Sequence, residues 1–178
     1  MTIDALDTLN TFVFHFPGWR LKVMTSDAGI RSLHFMDDAE WRDLPPDIQQ
    51  RQPQTALEKD LTQALTDYFD GKSVDFSEFP LDIQGGTPFQ QSVWHTLATI
   101  PRGTTISYKE LSQRVNRPKA YRAVGQANGR NPLPIVLPCH RVVAEGGGLG
   151  GFMQSQQGGL DLKRYLLTLE GAMHQSVG

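Results

Sequence analysis

Cys139 sits in the run Ile135-Val136-Leu137-Pro138-Cys139-His140-Arg141-Val142-Val143 and is the only cysteine of the chain. A thiol becomes a strong nucleophile only as thiolate, and a neighbouring imidazole and guanidinium favour that form. His140 follows at once with the chemistry of a proton acceptor, and Arg141 adds fixed positive charge. This spacing points to a nucleophilic cysteine with its base beside it. The competing reading is a buried, inert cysteine, because free cysteines are among the most buried residue types.

A single cysteine excludes an internal disulfide and every zinc site that needs two or more thiolates. No metal and no cofactor are therefore expected. The chain has 178 residues, 39% hydrophobic and 20% charged, which fits one good core or two small ones. No apolar run approaches a membrane span, and Met1-Thr2-Ile3-Asp4 lacks the pattern of a signal peptide, so a cytoplasmic protein is expected. The net charge of -2 conceals an asymmetry. Residues 1–85 carry 7 Lys+Arg against 15 Asp+Glu, whereas residues 86–178 carry 10 against 4. An acidic half joined to a basic half suggests that only the second meets a polyanion; a solvated basic face is the alternative.

The elements that must hold Cys139 follow from periodicity and turn chemistry. Thr11–Phe16, Trp19–Thr25 and Gly29–Met36 are β-branched or aromatic runs separated by turns at Pro17-Gly18 and at Ser26 to Gly29. Residues 37–53, acidic and proline-bearing, read as a loop. Leu57, Leu61, Ala64, Leu65, Tyr68 and Phe69 recur at helical spacing, which predicts an amphipathic helix over 54–69. Phe79–Ile83 is a further candidate strand. Gln84-Gly85-Gly86 reads as a linker between a 1–85 domain and an 86–178 domain.

The second half is mainly helical. Thr87-Pro88 opens a helix over 88–100. Ser107-Tyr108-Lys109-Glu110 has the form of a capping box and starts a short helix to about Val115. A tight turn at Asn116-Arg117-Pro118 leads to a second short helix from Ala120 to Asn128. This is a helix-turn-helix pattern, although a plain helical hairpin would read alike. Arg102, Arg114, Arg117, Arg122 and Arg130 fall in or beside the pair. Glu145–Gly159 reads as a mobile loop, and Asp161–Leu169 as a final helix with Leu162, Tyr165, Leu166 and Leu169 facing inward.

Separated motifs in residues 86–171 resemble one family. They are Thr87-Pro88-Phe89-Gln90 with Val93-Trp94, Ile106-Ser107-Tyr108, Arg122-Ala123-Val124-Gly125, Ala127-Asn128-Gly129 with Asn131-Pro132, Pro138-Cys139-His140-Arg141-Val142, Leu166-Leu167 and Glu170-Gly171. The sequence is similar to the O6-alkylguanine-DNA alkyltransferases, or methylated-DNA–protein-cysteine methyltransferases. The resemblance implies an α/β N-terminal domain with a ribonuclease-H-like arrangement. It also implies a mainly helical C-terminal domain whose helix-turn-helix is winged-helix-like. The implied function is direct, single-turnover DNA repair, in which an alkyl group passes from O6-alkylguanine, or O4-alkylthymine, to Cys139 and the protein is consumed.

The resemblance also implies roles, residue by residue. His140 takes the thiol proton through a water, and Glu170 orients the imidazole, the nucleophile–base–orienter logic of a triad. Asn131 is the hinge that holds the cysteine segment. The target oxygen lies inside the duplex, so the nucleotide must be flipped out. Tyr108 drives that rotation and protonates the departing guanine, and Arg122 fills the vacated stack. The second helix docks in the minor groove of double-stranded DNA, where Ala123, Ala127, Gly125 and Gly129 permit close approach. Asn128, Pro134, Val142 and Phe152, with Tyr108, line the base pocket, and the protein acts as a monomer. Residue by residue the bland readings are a structural histidine for His140, a helix-end surface charge for Glu170, an Asn-Pro turn for Asn131, an inward-packed aromatic for Tyr108 and a solvated charge for Arg122. For the chain as a whole the alternatives are a non-catalytic alkyltransferase-like damage sensor, which would lack the cysteine, and a cysteine hydrolase, for which no oxyanion-hole motif is present. Gly151-Phe152 stands where many members have Gly-Tyr, and the segment before Gly158-Gly159 is longer than usual.

Overall fold

The computed structural model describes residues 9–152 and 158–173. The chain divides into two compact units, one ending at Gln84 and the other beginning at Gly85.

In the first unit β1 (Asn10–Phe16), β2 (Trp19–Ser26) and β3 (Gly29–Met36) form an antiparallel sheet in the order β1-β2-β3. Two tight turns fix the register, with Phe16 opposite Trp19 and Ser26 opposite Gly29. Alternation then places Phe12, Phe14, Phe16, Leu21, Val23, Leu33 and Phe35 in the core. Helix α3 (Ala56–Phe69) covers this face with Leu61, Leu65 and Tyr68, and the Phe69 ring stacks on Phe16 at 3.8 Å.

Residues 37–53 are not the loop expected of them. Asp37 caps α1 (Asp38–Asp43) through a complete capping box with Glu40, and Pro45-Pro46 opens α2 (Pro46–Gln50). Acidic residues in a first helical turn favour the helix N-terminus, so the composition that suggested a loop is here a start signal. Phe79–Ile83 likewise falls short of a strand. It makes one parallel bridge, Ile30 with Leu81, and is tied down by the Asp82 carboxylate, which accepts hydrogen bonds from Ser26 and Arg31.

The second unit is built on α4 (Pro88–Leu97), capped by Thr87, whose Val93, Trp94 and Leu97 are buried. Strand β4 (Ile106–Ser107) leads into α5 (Tyr108–Arg114), and a turn at 115–120 leads to α6 (Tyr121–Gly129). The Ser107 hydroxyl accepts from the Glu110 amide, but the Glu110 carboxylate pairs with Arg114 at 2.6 Å, so the capping box is only half formed. The Trp94 indole donates to the Ala127 carbonyl at 2.7 Å and locks α6 onto α4. Strand β5 (Val142–Val143) pairs in parallel with β4. Helix α7 (Gly159–Leu169) closes the unit. Its inward face is Leu162, Lys163, Leu166 and Leu167, with Tyr165 and Leu169 only part-buried, a rotation from the expected stripe. The expected loop Glu145–Gly159 lies partly outside the described residues. Among the described residues no helix is long and apolar enough to cross a membrane.

Candidate active site

Three strands of covalent and hydrogen-bonded logic converge on the cysteine. The apolar run Leu133–Leu137 is entirely buried, and Ile135 takes a left-handed φ of 73°, an uncommon conformation for a β-branched residue. Asn131 holds this bend from both sides. Its amide donates to the Leu137 carbonyl at 2.6 Å, while its own carbonyl accepts from the Leu133 amide at 2.9 Å. The chain then turns through a 3-10 segment, Cys139–Arg141, which brings Cys139 to the surface of the core at 5% exposure.

His140 is fully buried, and its Nε2 donates to Glu170 at 2.7 Å. Arg141 donates from Nε and Nη2 to the two Glu170 oxygens, each at 2.9 Å, and from Nη1 to the Ile100 carbonyl. Burial alone would raise the Glu170 carboxyl, but the hydrogen bonds from His140 and Arg141 outweigh it and hold the group well below the usual carboxylate range. An ionised Glu170 can only accept, so the His140 proton sits on Nε2. Nδ1 then carries a lone pair, buried and without a hydrogen-bond partner among the described residues. Burial pushes the imidazole down, with Glu170 opposing, so it is a neutral base at physiological pH.

The thiol departs from the expected electrostatics. Burial pushes Cys139 up, opposed by the Asn131 amide and the charge of Lys163. Arg141 is spent on Glu170 and Ile100, so the cation acting on the sulfur is Lys163. Sequence reasoning missed this residue, because a lysine among Leu162, Leu166 and Leu167 reads as a gap in an apolar stripe. Its Nζ donates to the Val142 carbonyl at 2.6 Å and the Gly151 carbonyl at 3.0 Å, and burial pushes it down to about 8. Lys163→Met is expected to keep the volume but lose the charge, slowing transfer roughly tenfold to a hundredfold. Single-turnover rates on one substrate, with unchanged DNA affinity, would check this.

A cleft of about 610 Å³ is lined by residues of α5, α6 and the Gly151-Phe152 segment. Tyr108, Arg122, Gly125, Asn128, Gly129 and Phe152 line it, as do Arg130, expected only as one of the arginines beside the helix pair, and Tyr121 and Gln126, which sequence reasoning did not single out. Cys139 is not itself in the lining but is linked to it through Asn128, whose Nδ2 donates to the Cys139 carbonyl at 3.3 Å. The Tyr108 hydroxyl donates to the Gly151 carbonyl at 3.2 Å. Gly150 (φ 70°) presses on that ring, so a Cβ there would stand 2.7 Å from it.

The structure does not gather every expected residue into the cleft. Pro134 and Val142 are buried in the core outside the lining. Ala127 is 1% exposed, buried like Val124, and its carbonyl accepts from Trp94 of α4, while Ala123 is exposed. Helical geometry separates these faces: 124 and 127 share the buried side of α6, 121, 122, 125, 126 and 129 share the other, and Asn128, buried at the boundary, still lines the cleft. Ala127 therefore supports packing and offers no surface to a partner.

Both units match models of one family. The model for "6-O-methylguanine DNA methyltransferase, ribonuclease-like domain" matches residues 11–83, and that for its "DNA binding domain" matches residues 88–172. The chain belongs to the 6-O-methylguanine DNA methyltransferase family. A methylated-DNA–protein-cysteine methyltransferase of Methanosarcina mazei is 39% identical over 154 residues, covering 86% of this chain and 92% of that one. A constitutive one of Bacillus subtilis is 42% identical over 137 residues, covering 76% and 80%. Among solved structures, an O6-methylguanine methyltransferase of Mycobacterium tuberculosis aligns at a TM-score of 0.76 with 33% identity, covering 95% of this chain and 96% of that one. The Mycobacterium tuberculosis OGT in complex with DNA aligns at 0.74 with 34% identity, covering 91% and 92%. The methyltransferase family thus accounts for both units: a sheet-bearing ribonuclease-like domain and a helical DNA-binding domain that carries Cys139.

Proposed function

We propose that Cys139 is the acceptor thiol of a DNA repair methyltransferase that takes alkyl groups from O6-alkylguanine in double-stranded DNA. The observation that carries this reading is the joining of Cys139, through its carbonyl, to the cleft-lining Asn128, with the buried, neutral imidazole of His140 next in sequence. The Nε2 of that imidazole is fixed on Glu170, and its Nδ1 has no partner among the described residues.

The reaction is one displacement. The thiol proton passes by way of a water to His140 Nδ1. The sulfur attacks the alkyl carbon, the S–C bond forms and the C–O6 bond breaks. The electron pair of that bond stays on guanine, which takes a proton from the Tyr108 hydroxyl. The imidazolium then returns its proton to the tyrosine through solvent, so the proton lost by sulfur ends on guanine. The thioether has no leaving path, so each chain acts once. DNA bearing a labelled methyl on O6 should transfer label up to one per chain and then stop; continued turnover would contradict the reading.

Access needs an everted nucleotide, because O6 lies at a base edge within the stack. Helices α5 and α6 act as the helix-turn-helix, with the exposed face of α6 in the minor groove, which suits a protein that must inspect any sequence. Arg122 is exposed on that face and lines the cleft, placed to enter the stack. Arg122→Ala should therefore slow repair of duplex DNA about tenfold more than reaction with a free O6-alkylguanine base, since unstacking costs roughly a few kcal/mol. Equal losses on both substrates would remove Arg122 from the eversion step. One chain carries acceptor, base and DNA face, and acts as a monomer.

A further inference from the structure

Tyr121 is a large aromatic residue that its own fold leaves uncovered. It is 47% exposed, one of three exposed large hydrophobic residues among the described residues, with Leu9 and Leu160. Among the described residues no ring stacks on it, no cation lies over it and its hydroxyl has no hydrogen-bond partner. A single exposed apolar residue is ordinary on a protein surface. This one borders the cleft and immediately precedes Arg122, and aromatic residues of that kind are the anchors of interfaces.

Its place in the helix sets it apart from the reacting end of the cleft. Tyr121 opens α6, whereas Asn128, which bonds the Cys139 carbonyl, stands near the end of that helix. Seven positions along a helix are about 10 Å of axis, and helical side chains lean toward the N-terminus, which carries the ring farther off. Tyr121, Gly125 and Gly129 form one i, i+4 row, and all three line the cleft. The two glycines present bare backbone. The Tyr121 ring is therefore the only side chain of that row within α6, and it projects at the end remote from Cys139.

A face built only to attract phosphates needs cations and no ring. The chemical match for an exposed tyrosine there is the apolar sugar edge of a groove, with the hydroxyl left toward water. We propose that Tyr121 is an apolar anchor on the duplex, its ring lying against deoxyribose of nucleotides that stay stacked, outside the everted base. This rests on the DNA-binding reading above and adds to it a contact made before eversion, on undamaged and damaged DNA alike. The contact is neutral and reads no base, so it contributes affinity during the search for a lesion and leaves the transfer step to other residues.

The test compares wild type, Tyr121→Ala and Tyr121→Phe on one duplex with and without a single O6-methylguanine. Affinity is titrated over a series of salt concentrations, and the single-turnover rate is taken at saturating DNA. Tyr121→Ala should weaken binding to both duplexes about tenfold, as loss of an interface anchor does. The factor should be the same at every salt concentration, because a neutral ring releases no counterions. At saturating DNA the deficit should disappear from the rate, which separates affinity from chemistry. Tyr121→Phe keeps the ring and should bind within about twofold of wild type. Wild-type affinity in Tyr121→Ala would overturn the proposal. So would a loss confined to the damaged duplex, a rate at saturation that falls as far as the affinity, or Tyr121→Phe binding as weakly as Tyr121→Ala. A changed salt dependence in Tyr121→Ala would trace the loss to displaced cations such as Arg122 and would overturn it too. Failure of wild type itself to bind either duplex would instead overturn the underlying function.

Discussion

Cys139→Ser should bind DNA carrying O6-methylguanine as wild type does and remove no methyl from it. The side chain is 5% exposed and serine is slightly smaller, so the fold and the cleft should persist. What disappears is the nucleophile. Sulfur is soft and ionises within reach of a neutral imidazole, whereas a serine hydroxyl does neither, so transfer should fall by at least about 10³-fold. The rate is read by mass change of the protein, and affinity by titration with labelled DNA. Residual transfer near the wild-type rate would place the acceptor elsewhere.

The second large effect is expected at Glu170, which joins chemistry to stability. Its carboxylate accepts from His140 and from two Arg141 nitrogens, all of them buried or nearly so. Glu170→Gln leaves the Arg141 guanidinium without a counter-charge, which for a buried pair costs about 3–5 kcal/mol. That is a drop in Tm on the order of 10 °C. The substituted amide can also donate to Nε2, which drives the imidazole proton onto Nδ1 and removes the base. Transfer should fall about 10²–10⁴-fold, as when an orienting carboxylate is lost from a triad. Arg141→Met would lower Tm while keeping the tautomer, so rate and stability can be separated.

The same cluster sets the acid limit. Glu170 is held below the ordinary carboxylate value in the folded protein, so its contribution is present above that value and is lost as pH falls through the carboxylate range. His140 is also held below its ordinary value, so the folded state resists its protonation and loses stability as pH falls below 6.5. Both signs agree: wild type should become less stable in acid. Glu170→Gln should show a shallower dependence below pH 5.

How far the sequence disclosed this arrangement differs from element to element. The three strands and α3 were legible because period and turn chemistry agree there, down to Phe16 opposite Trp19. Helices α1 and α2 were not, because prolines and acidic residues were weighed as loop composition and the Asp37-to-Glu40 cap was passed over. Cys139 announced itself by being alone. Its partner in charge did not: Lys163 is buried by two backbone carbonyls that no pattern in the sequence foretells. The burial of Ala127 goes with an indole hydrogen bond from α4 to its carbonyl, a tertiary contact that helix periodicity leaves undetermined. Asn128 was placed in the cleft by resemblance, but its bond to the Cys139 carbonyl is a fact of three dimensions.

The central claim is the identity of one atom. Wild-type protein should be mixed with excess duplex DNA containing O6-methylguanine, digested, and its peptides weighed. The account predicts one added methyl on the peptide that carries Cys139, at one per chain, and none on any other peptide. A methyl on a different residue, or restored guanine with no methyl on the protein, would contradict it.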